Sequence, residues 1–344
     1  MTDPLLVVED LDVTFPVPKR GAMPWTAPDQ LQAVSGANLV INRGETLGLV
    51  GESGSGKSTL ARAIVGTVPA SRGKVLWKGE ELTRLSALER RSFGRHVQMV
   101  FQDPLAALNP RMNLGQIVAE PLMTHKPDTD AATRRRKVGE MMERVGLLSN
   151  LQNRYPHELS GGQCQRIGIA RALITEPELV ICDEPVSALD VSVQAQVVNL
   201  LADLQREMGL SLLFIAHDLS VVRHVSSRIA VMYLGRLVEV GSAADVTGDP
   251  AHPYTRALIA SVPVPDPKLE KARTRPILEG ELPSPLNPPS GCVFRTRCPI
   301  ARDSCAEARP VMEQAGADHL VACPWHDASD DTAPHAQSAA RAAL

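Results

Sequence analysis

Aromatic residues are scarce in this chain of 344 residues, at 3%, which argues against a surface that stacks on nucleic-acid bases. Positive charge is not in excess, because 36 lysines and arginines stand against 39 acidic residues, for a formal net charge of -3. That balance also argues against general nucleic-acid binding. The hydrophobic share of 44% and the length predict a folded protein with a large domain and an appendage.

Long apolar runs are missing as well. No segment approaches the roughly 20 apolar residues that cross a bilayer. The N-terminal sequence MTDPLLVVEDLDVTF lacks the basic start and the apolar core of a secretory signal, so we expect the chain to stay in the cytoplasm. There, its six cysteines are expected to be thiols, metal ligands or redox groups rather than structural disulfides.

Segments typical of strands alternate with segments typical of helices up to about residue 262, which predicts a parallel sheet covered on both faces. The periodic pattern then stops, and ten prolines fall between Pro263 and Pro310. We expect a separate, irregular C-terminal element over residues 263–326. The polar, alanine-rich tail, residues 327–344, is predicted to be disordered.

A glycine-rich segment, GESGSGKST, matches the phosphate-loop pattern G-x-x-x-x-G-K-[ST] and lies between a predicted strand and a predicted helix. Its glycines let backbone N–H groups surround phosphate oxygens, helped by the N-terminus of the helix. A chance glycine-rich turn is the alternative, and the strand–loop–helix context argues against it. Lys57 would supply charge to the outer phosphates, and Ser58 a hydroxyl to Mg²⁺. The predicted nucleotide-binding residues here are Gly51, Ser53, Gly54, Ser55, Gly56, Lys57, Ser58 and Thr59.

A predicted buried strand, LVICD, ends in two carboxylates, Asp183 and Glu184. The carboxyl ends of parallel strands are where ligands of such sheets bind. Asp183 is placed to hold the hydration shell of the metal, and Glu184 to polarise a water for attack on the terminal phosphate. Strands that end in acidic residues are common, so this pair alone is a weak signal. Together with the phosphate loop it indicates a nucleotide site.

A third motif, LSGGQ, opens a predicted helix with Ser160, Gly161, Gly162 and Gln163. Exposed amides at a helix N-terminus form a second anion site. An ordinary serine N-cap followed by turn glycines is the alternative. If the two phosphate sites cannot meet within one molecule, they could meet across a head-to-tail pair.

Together these motifs resemble those of the ATP-binding-cassette (ABC) ATPases, over roughly residues 1–262. Three further positions join the resemblance: Gln102 in FQDP is similar to the Q-loop glutamine, Asp190 in SALD to the D-loop aspartate, and His217 in IAHD to the switch histidine. The resemblance implies that each ATP lies between the phosphate loop of one subunit and the LSGGQ signature of its partner. It implies catalytic roles for Glu184, His217 and Gln102.

The same resemblance implies that Gln102 joins Ser58 and Asp183 at Mg²⁺. It also implies that an upstream aromatic residue stacks on adenine, for which Phe15 is favoured and Trp25 is the alternative. The implied fold is α/β: a P-loop NTPase (RecA-like) parallel-sheet core with an antiparallel β subdomain and an inserted helical signature subdomain at about 104–175. The small C-terminal element rich in cysteine and proline is added to it.

Longer segments narrow the resemblance. FQDPLAALNPRM, HPYTRALIASVP and PSPLNPPSGCVFRTRCP are similar to the ATPases of bacterial oligopeptide/dipeptide importers, and the first of them to the second of the two paralogous ATPases. The resemblance implies an ATPase that powers import through a separate permease, by ATP-driven dimer closure and hydrolysis-driven reopening. The implied location is peripheral, at the cytoplasmic face of the inner membrane.

The partners implied are a paralogous ATPase in a heterodimer, two membrane permease subunits and, indirectly, an extracytoplasmic peptide-binding protein, with no nucleic acid. A cassette ATPase that acts mechanically on nucleic acid or ribosomes is the alternative. Such proteins usually hold two cassettes or long insertions, which this sequence lacks. A metabolic P-loop kinase is hard to reconcile with LSGGQ.

Four cysteines in the C-terminal element have the spacing C-x5-C-x6-C-x17-C, without the tight C-x2-C pair typical of structural zinc. Four thiolates suit a [4Fe–4S] cluster, which could stabilise an element with little apolar core of its own. The spacing resembles the importer extension, where clusters occur in some members. Zinc, with help from His319 or His326, and free or disulfide-forming thiols remain the alternatives. The predicted ligands are Cys292, Cys298, Cys305 and Cys323.

The two other cysteines receive different predictions. Cys182 lies within the apolar strand LVICD and is predicted to be a small buried hydrophobic residue. Cys164 follows the signature, where the family usually has a polar or basic residue, and an oxidisable thiol beside the site is one possibility.

Overall fold

The computed structural model describes residues 4–19, 21, 23, 26–262 and 280–326. Trp25 and the predicted tail, residues 327–344, lie outside the described residues. The strands are β1 Pro4–Val17, β2 Asp29–Asn42, β3 Thr46–Val50, β4 Arg72–Trp77, β5 Glu80–Glu81, β6 Val97–Val100, β7 Leu179–Asp183, β8 Ser211–Ala216, β9 Arg228–Tyr233, β10 Arg236–Ser242, β11 Glu313–Gly316 and β12 His319–Val321. The α-helices are α1 Lys57–Val65, α2 Ala87–Phe93, α3 Leu114–His125, α4 Ala131–Arg144, α5 Gly161–Leu173, α6 Val191–Met208, α7 Leu219–Val225, α8 Ala243–Gly248, α9 Pro253–Ser261 and α10 Ser304–Glu307.

The main sheet has eight strands in the order β11-β12-β10-β9-β3-β8-β7-β6. Its centre is parallel, with β3 between β9 and β8 and with β7 between β8 and β6. Every residue of β3, β7 and β8 is buried. Their near-continuous apolar sequences TLGLV, LVICD and SLLFIA are what a sheet covered on both faces requires. The predicted P-loop NTPase fold is confirmed.

A second sheet, of order β2-β1-β4-β5, is antiparallel. On β1 the side chains of Leu6, Val8, Leu11 and Val13 are buried, and they share one apolar cluster with Leu47 of the main sheet. This sheet therefore packs against the main sheet. It is the antiparallel β subdomain that the family resemblance implied.

The inserted helical subdomain consists of α3, α4 and α5 with two short 3₁₀ helices, Ser149–Asn153 and Pro156–Glu158. On α3 the buried positions Leu114, Ile117, Val118 and Leu122 recur with helical spacing and form one apolar face. That face packs on α5. Among the residues that the structure describes, no helix combines the length and the apolar character that crossing a membrane takes.

The C-terminal element is less separate than the sequence predicted. Its strand β12 pairs with β10, with Val321 opposite Glu239 and Leu320 opposite Val240, and β11 pairs with β12 in turn. The pairing covers an edge whose N–H and C=O groups would otherwise lack partners. Strands of three and four residues carry too little periodic pattern to be recognised in a sequence, which explains the difference.

Candidate active site

The phosphate loop follows β3 and ends in the first turn of α1. Gly56, the N-cap of α1, has a φ of 103° in the left-handed region, and a Cβ there would lie 2.2 Å from the carbonyl oxygen of Ala33. Only glycine satisfies both constraints. Glycine is therefore required at position 56 because the backbone of β2 lies directly against the loop.

Lys57 lies inside this loop rather than extending from it. Its Nζ donates to the carbonyl oxygens of Gly51 at 2.8 Å and Glu52 at 2.9 Å, and it lies 4.0 Å from Oε1 of Glu184. Burial lowers the pKa of the ammonium, while the charges of Glu184 and Asp183 oppose that shift. The ammonium is thus held among oxygen atoms, where phosphate oxygens can take the place of the loop carbonyls.

Two predicted magnesium ligands are brought together. The Ser58 hydroxyl donates to Oδ1 of Asp183 at 2.7 Å. Burial raises the pKa of Asp183, against the opposing effect of the bond from Ser58. Asp183 and Glu184 carry two negative charges against the single charge of Lys57. Oxygen donors with a surplus of negative charge fit a hard divalent cation such as Mg²⁺.

Glu184 is the point where the other predicted catalytic residues meet. Nε2 of Gln102 donates to its Oε2 at 2.9 Å, and Nδ1 of His217 lies 3.7 Å from the same oxygen. The Glu184 side chain is 14% exposed, whereas that of His217 is 60% exposed. The carboxylate is therefore largely enclosed by groups from three strand ends, with a histidine at its open side.

The signature lies elsewhere on the molecule. Ser160 is the N-cap of α5: its side chain accepts from the N–H of Gln163 at 3.3 Å, and the Gln163 side chain accepts from the N–H of Ser160 at 3.0 Å. Ser160 and Gly161 are exposed. In the described part of the chain, no hydrogen bond or ion pair joins the signature to the phosphate loop. The structure thus leaves the predicted second anion site facing outward.

Asp190 of the D-loop is exposed and caps α6, where it accepts from the N–H of Val193 at 3.0 Å. This hydrogen bond, together with one from the Ser192 hydroxyl, lowers the pKa of the Asp190 carboxyl. The same turn of α6 lies against the signature, because a Cβ on Gly162 would fall 2.6 Å from Cγ1 of Val193. Signature and D-loop therefore form one continuous surface.

Phe15 lies on β1 opposite Leu31 of β2 and is 36% exposed. Two residues beyond Leu31 is Ala33, which contacts the phosphate loop at Gly56. The ring is therefore on the subdomain that borders the loop and is open to a ligand. Trp25 lies outside the described residues.

Sequence reasoning missed two residues that touch the phosphate loop. The N–H of Glu52 donates to the Tyr254 hydroxyl at 2.8 Å, and Nη1 of Arg297 donates to Oε2 of Glu52 at 2.8 Å. Tyr254 lies in the segment HPYTRALIASVP, which resembles the importer ATPases and for which the sequence predicts no contact with the ATP site. The acidic residue inside the loop was the one signal that a cationic partner exists.

The four C-terminal cysteines line one apolar cavity of about 20 Å³, together with Phe294 and Trp325. All are free thiols. Burial raises the pKa of Cys292 and Cys323, and that of Cys298 to about 11, and neighbouring thiols of the same set add to each shift. A cavity of that size holds about one water molecule. The four thiols are the donor groups of a metal centre, but the space between them is too small for a four-iron cluster.

The described residues contain no group of three or more histidine, cysteine or acidic side chains close enough to hold a metal ion. The histidines suggested as zinc ligands have other partners: Nε2 of His319 is 2.6 Å from Oε1 of Glu239, and Nδ1 of His326 is 2.8 Å from the carbonyl oxygen of Cys323. The predicted set is therefore gathered around a common cavity without reaching ligand geometry.

The remaining two cysteines are both buried. Burial raises the pKa of Cys182 to about 12, as suits a small hydrophobic residue within β7. Burial also raises the pKa of Cys164, whose Sγ is 3.5 Å from the carbonyl oxygen of Pro156. A buried thiol with a raised pKa resists oxidation, which argues against the reactive thiol considered beside the signature.

Two family models match this chain. Residues 34–187 match the family described as ABC transporter, and residues 238–305 match the C-terminal region of oligopeptide/dipeptide transporters. The first match contains the phosphate loop, the signature and the acidic pair. The second runs from β10 through the first three cysteines of the C-terminal element.

Individual relatives are similar over most of their length. The oligopeptide transport ATP-binding protein OppF of Escherichia coli is 61% identical over 319 residues, which cover 93% of this chain and 95% of that protein. The putative oligopeptide transport ATP-binding protein YkfD of Bacillus subtilis is 52% identical over 320 residues, with coverage of 93% and 95%. A solved dimeric ATP-binding cassette in a post-hydrolysis state, bound to ADP and Pi, superimposes with a TM-score of 0.61 at 28% identity, covering 69% of this chain and 98% of that one.

Proposed function

We propose a function from the premise that this chain belongs to the ABC transporter family, as an ATP-binding subunit of the oligopeptide/dipeptide class. It is an ATPase that powers peptide import. Its membrane partner is a permease, and the chain itself is a peripheral, membrane-associated subunit. The convergence of Lys57, Gln102 and His217 on the Glu184 carboxylate is the observation that carries the assignment of the site.

In the proposed reaction, Glu184 accepts a proton from the water that attacks the terminal phosphate. Gln102 orients that carboxylate through the bond from its Nε2, and His217 lies at the open side of the site, next to the attacking water. Lys57 stabilises the charge of the outer phosphates, and backbone N–H groups of the phosphate loop other than that of Glu52 bind the remaining oxygens.

ATP is used with Mg²⁺, for which the proposed protein ligands are Ser58, Asp183 and Gln102. The pairing of Ser58 with Asp183 at 2.7 Å supports the first two. The metal supplies charge neutralisation on the phosphates when bound. Ser58, Asp183 and Gln102 would hold the metal and its hydration shell.

We further propose that the working unit is a dimer in which the signature residues Ser160, Gly161, Gly162 and Gln163 contact the ATP of the partner. The exposed signature and the adjoining Asp190 support this arrangement. A paralogous ATPase is the proposed partner, with two permease subunits and, through them, an extracytoplasmic peptide-binding protein. We also propose that residues 1–262 form the nucleotide-binding domain and residues 263–326 an extension of it.

The test of this function is ATP turnover by the purified subunit and by its complex with the permease. We expect Lys57→Ala to weaken ATP binding at least about ten-fold, because the charge on the outer phosphates is lost. Undiminished binding would contradict the phosphate-loop assignment. In the complex, peptides should stimulate hydrolysis; stimulation by nucleic acid or ribosomes instead would favour the mechanical alternative.

We propose in addition that Cys292, Cys298, Cys305 and Cys323 bind a metal centre, with a [4Fe–4S] cluster favoured over zinc. The common cavity and the mutual effect of the thiols on their pKa values support the grouping. Since the cavity is small, the thiols would have to move apart on loading a cluster. The centre would be structural or a redox sensor, and no step of ATP hydrolysis uses it.

Anaerobic purification with counts of iron, sulfide and zinc per chain tests this second proposal. About four irons and four sulfides would support the cluster. One zinc and no visible absorption would support a structural clip. A metal-free protein would contradict both and leave four free thiols.

A further inference from the structure

The C-terminal element reaches the phosphate loop directly. Arg297 lies between two of the clustered cysteines, and its Nη1 donates to Oε2 of Glu52 at 2.8 Å across 245 positions of sequence. The side chains are 9% and 26% exposed, so the ion pair is largely shielded from water. Shielded charge-assisted bonds are stronger than exposed ones.

Glu52 is held through its N–H, its carbonyl and its carboxylate. The N–H donates to the Tyr254 hydroxyl, the carbonyl oxygen accepts from Lys57 and from the N–H of Ser55, and the carboxylate accepts from Arg297. Two of these four partners, Tyr254 and Arg297, come from outside the loop. They set the direction in which the N–H and the carbonyl of this residue point, and hence the position of the carbonyl to which Lys57 is bonded.

Arg297 is itself held in place by packing. Its guanidinium carbon lies 5.9 Å from the centre of the Tyr233 ring. Tyr233, Tyr254 and Phe294 are fully buried, and their ring centres lie 4.7–5.4 Å apart in edge-on and tilted arrangements. Phe294 belongs to the cysteine-rich element, so this aromatic cluster joins that element to β9 and α9.

The charge on Glu52 explains why a cation is needed there. A carboxylate inside a phosphate loop repels the phosphates of ATP, and its charge acts on Lys57 as well. Arg297 pairs with this carboxylate and offsets its charge. Without Arg297 the carboxylate would be free to pair with Lys57, the group that the outer phosphates require.

We propose that Arg297 and Tyr254 are positioning residues of the ATP site, which hold Glu52 and so keep the phosphate loop open to ATP. The inference rests on the proposed function, because it concerns the same loop. It makes the cysteine-rich element a working part of the nucleotide site rather than an appendage. Whatever orders or disorders that element then changes ATP affinity.

The test compares variants of the full chain for affinity towards a fluorescent ATP analogue and for kcat and KM. We expect Arg297→Ala to weaken ATP binding and raise KM about ten-fold, with a smaller effect on kcat. Arg297→Lys should recover much of the affinity, because it keeps the charge. Adding Glu52→Gln to Arg297→Ala should also recover it, because the unpaired carboxylate is removed.

Arg295→Ala is the matched control, since the Arg295 side chain is bonded to Ser290 within its own element. It should bind ATP like the parent. Parent-like affinity of Arg297→Ala would overturn the inference. So would a loss that neither Arg297→Lys nor Glu52→Gln repairs, because the residue would then act only in the folding of the element.

Lys57→Ala separates the two proposals. If the parent binds ATP and Lys57→Ala does not, while Arg297→Ala is normal, the inference fails and the proposed function stands. If the parent itself does not bind ATP, or Lys57→Ala binds it unchanged, the proposed function fails.

Discussion

At the scale of single residues, Glu184, the proposed catalytic base, has an unusual backbone conformation. Its backbone has a φ of 46°, in the region that residues with side chains rarely adopt, and its N–H donates to the carbonyl oxygen of Ile215 at 3.0 Å. The neighbouring strand β8 thus helps to hold a strained residue in place. Strain of this kind is retained where the direction of a side chain matters more than stability.

Glu184→Gln should therefore separate binding from hydrolysis. The amide is nearly the same size and keeps an oxygen for Gln102, but it cannot take a proton from water. We expect ATP binding to be retained, a stable ATP-bound dimer to accumulate, and turnover to fall about 10²–10⁴-fold. Steady-state ATPase assays and size-exclusion chromatography with ATP measure both effects. Hydrolysis near the parent rate would show that another group is the base.

Residues of the site differ in how far the sequence could predict them. The phosphate loop, the acidic pair and the signature are short local patterns, because each forms at the junction of one strand or loop with one helix. Arg297 could not be predicted from such a pattern, since its contact with Glu52 spans 245 positions and depends on how the C-terminal element folds back. A pattern of neighbouring residues can be recognised in the sequence, whereas a contact with a distant segment cannot.

At the scale of elements, β10 carries a buried acidic residue, Glu239, and the C-terminal element supplies one of its hydrogen-bond partners. Glu239 is fully buried and accepts from the N–H groups of Ala251 and His252 and from His319, which precedes Val321 in β12. The hydrogen bond between His319 and Glu239 raises the pKa of His319. The strand pair β10–β12 is therefore joined by a buried ion pair whenever His319 is protonated.

The pH dependence of this pair has a definite sign. Because the pKa of His319 is raised above 6.5 in the folded state, its contribution is complete below that pH and is lost as the pH rises through the folded value. His319→Gln should lower the free energy of unfolding by about 1–3 kcal/mol in mildly acid solution. The difference from the parent should shrink as the pH rises above 6.5.

The control for this measurement is to compare the unfolding free energies of the parent and of His319→Gln at each pH. Burial lowers the pKa of His252 to about 4, so that residue opposes stability as the pH falls below 6.5, in both proteins alike. The difference between parent and His319→Gln removes this effect. A difference that stays constant from pH 5.5 to pH 8.5 would show that His319 acts as a neutral hydrogen-bond donor only.

Elements were predicted best where burial is continuous. The strands β3, β7 and β8 are short apolar runs between turns, and the helix α6 has a clear apolar face, so each could be located from its sequence. The pairing of β12 with β10 could not, because three residues hold no period and strand order depends on contacts between distant segments.

At the scale of the whole molecule, the phosphate loop and the signature have different surroundings. The first is supported from within the chain by β2, Tyr254 and Arg297, whereas the second, with Ser160 and Gly161, is exposed on α5. In the proposed dimer they belong to two different nucleotide sites, and the partner completes each of them.

Ser160→Arg tests this division. The change adds bulk and charge at the start of α5 and should leave ATP binding by the isolated subunit unchanged, because the phosphate loop is not involved. Turnover should fall about 100-fold or more, since the site in the partner loses its second set of donors. Asn150→Arg, an exposed position in the same helical subdomain, is the control and should hydrolyse ATP normally. Normal turnover by Ser160→Arg would contradict the shared site.

The pairing of β12 with β10 also has a consequence for biosynthesis. Roughly 80 residues separate the two strands, so at about 5–20 residues per second the ribosome needs several seconds to supply the second after the first. During that interval the edge of β10 and the Glu239 carboxylate lack their final partners. A nascent chain of this protein is thus exposed to aggregation late in synthesis, and chains that terminate early should depend on chaperones far more than the finished subunit does.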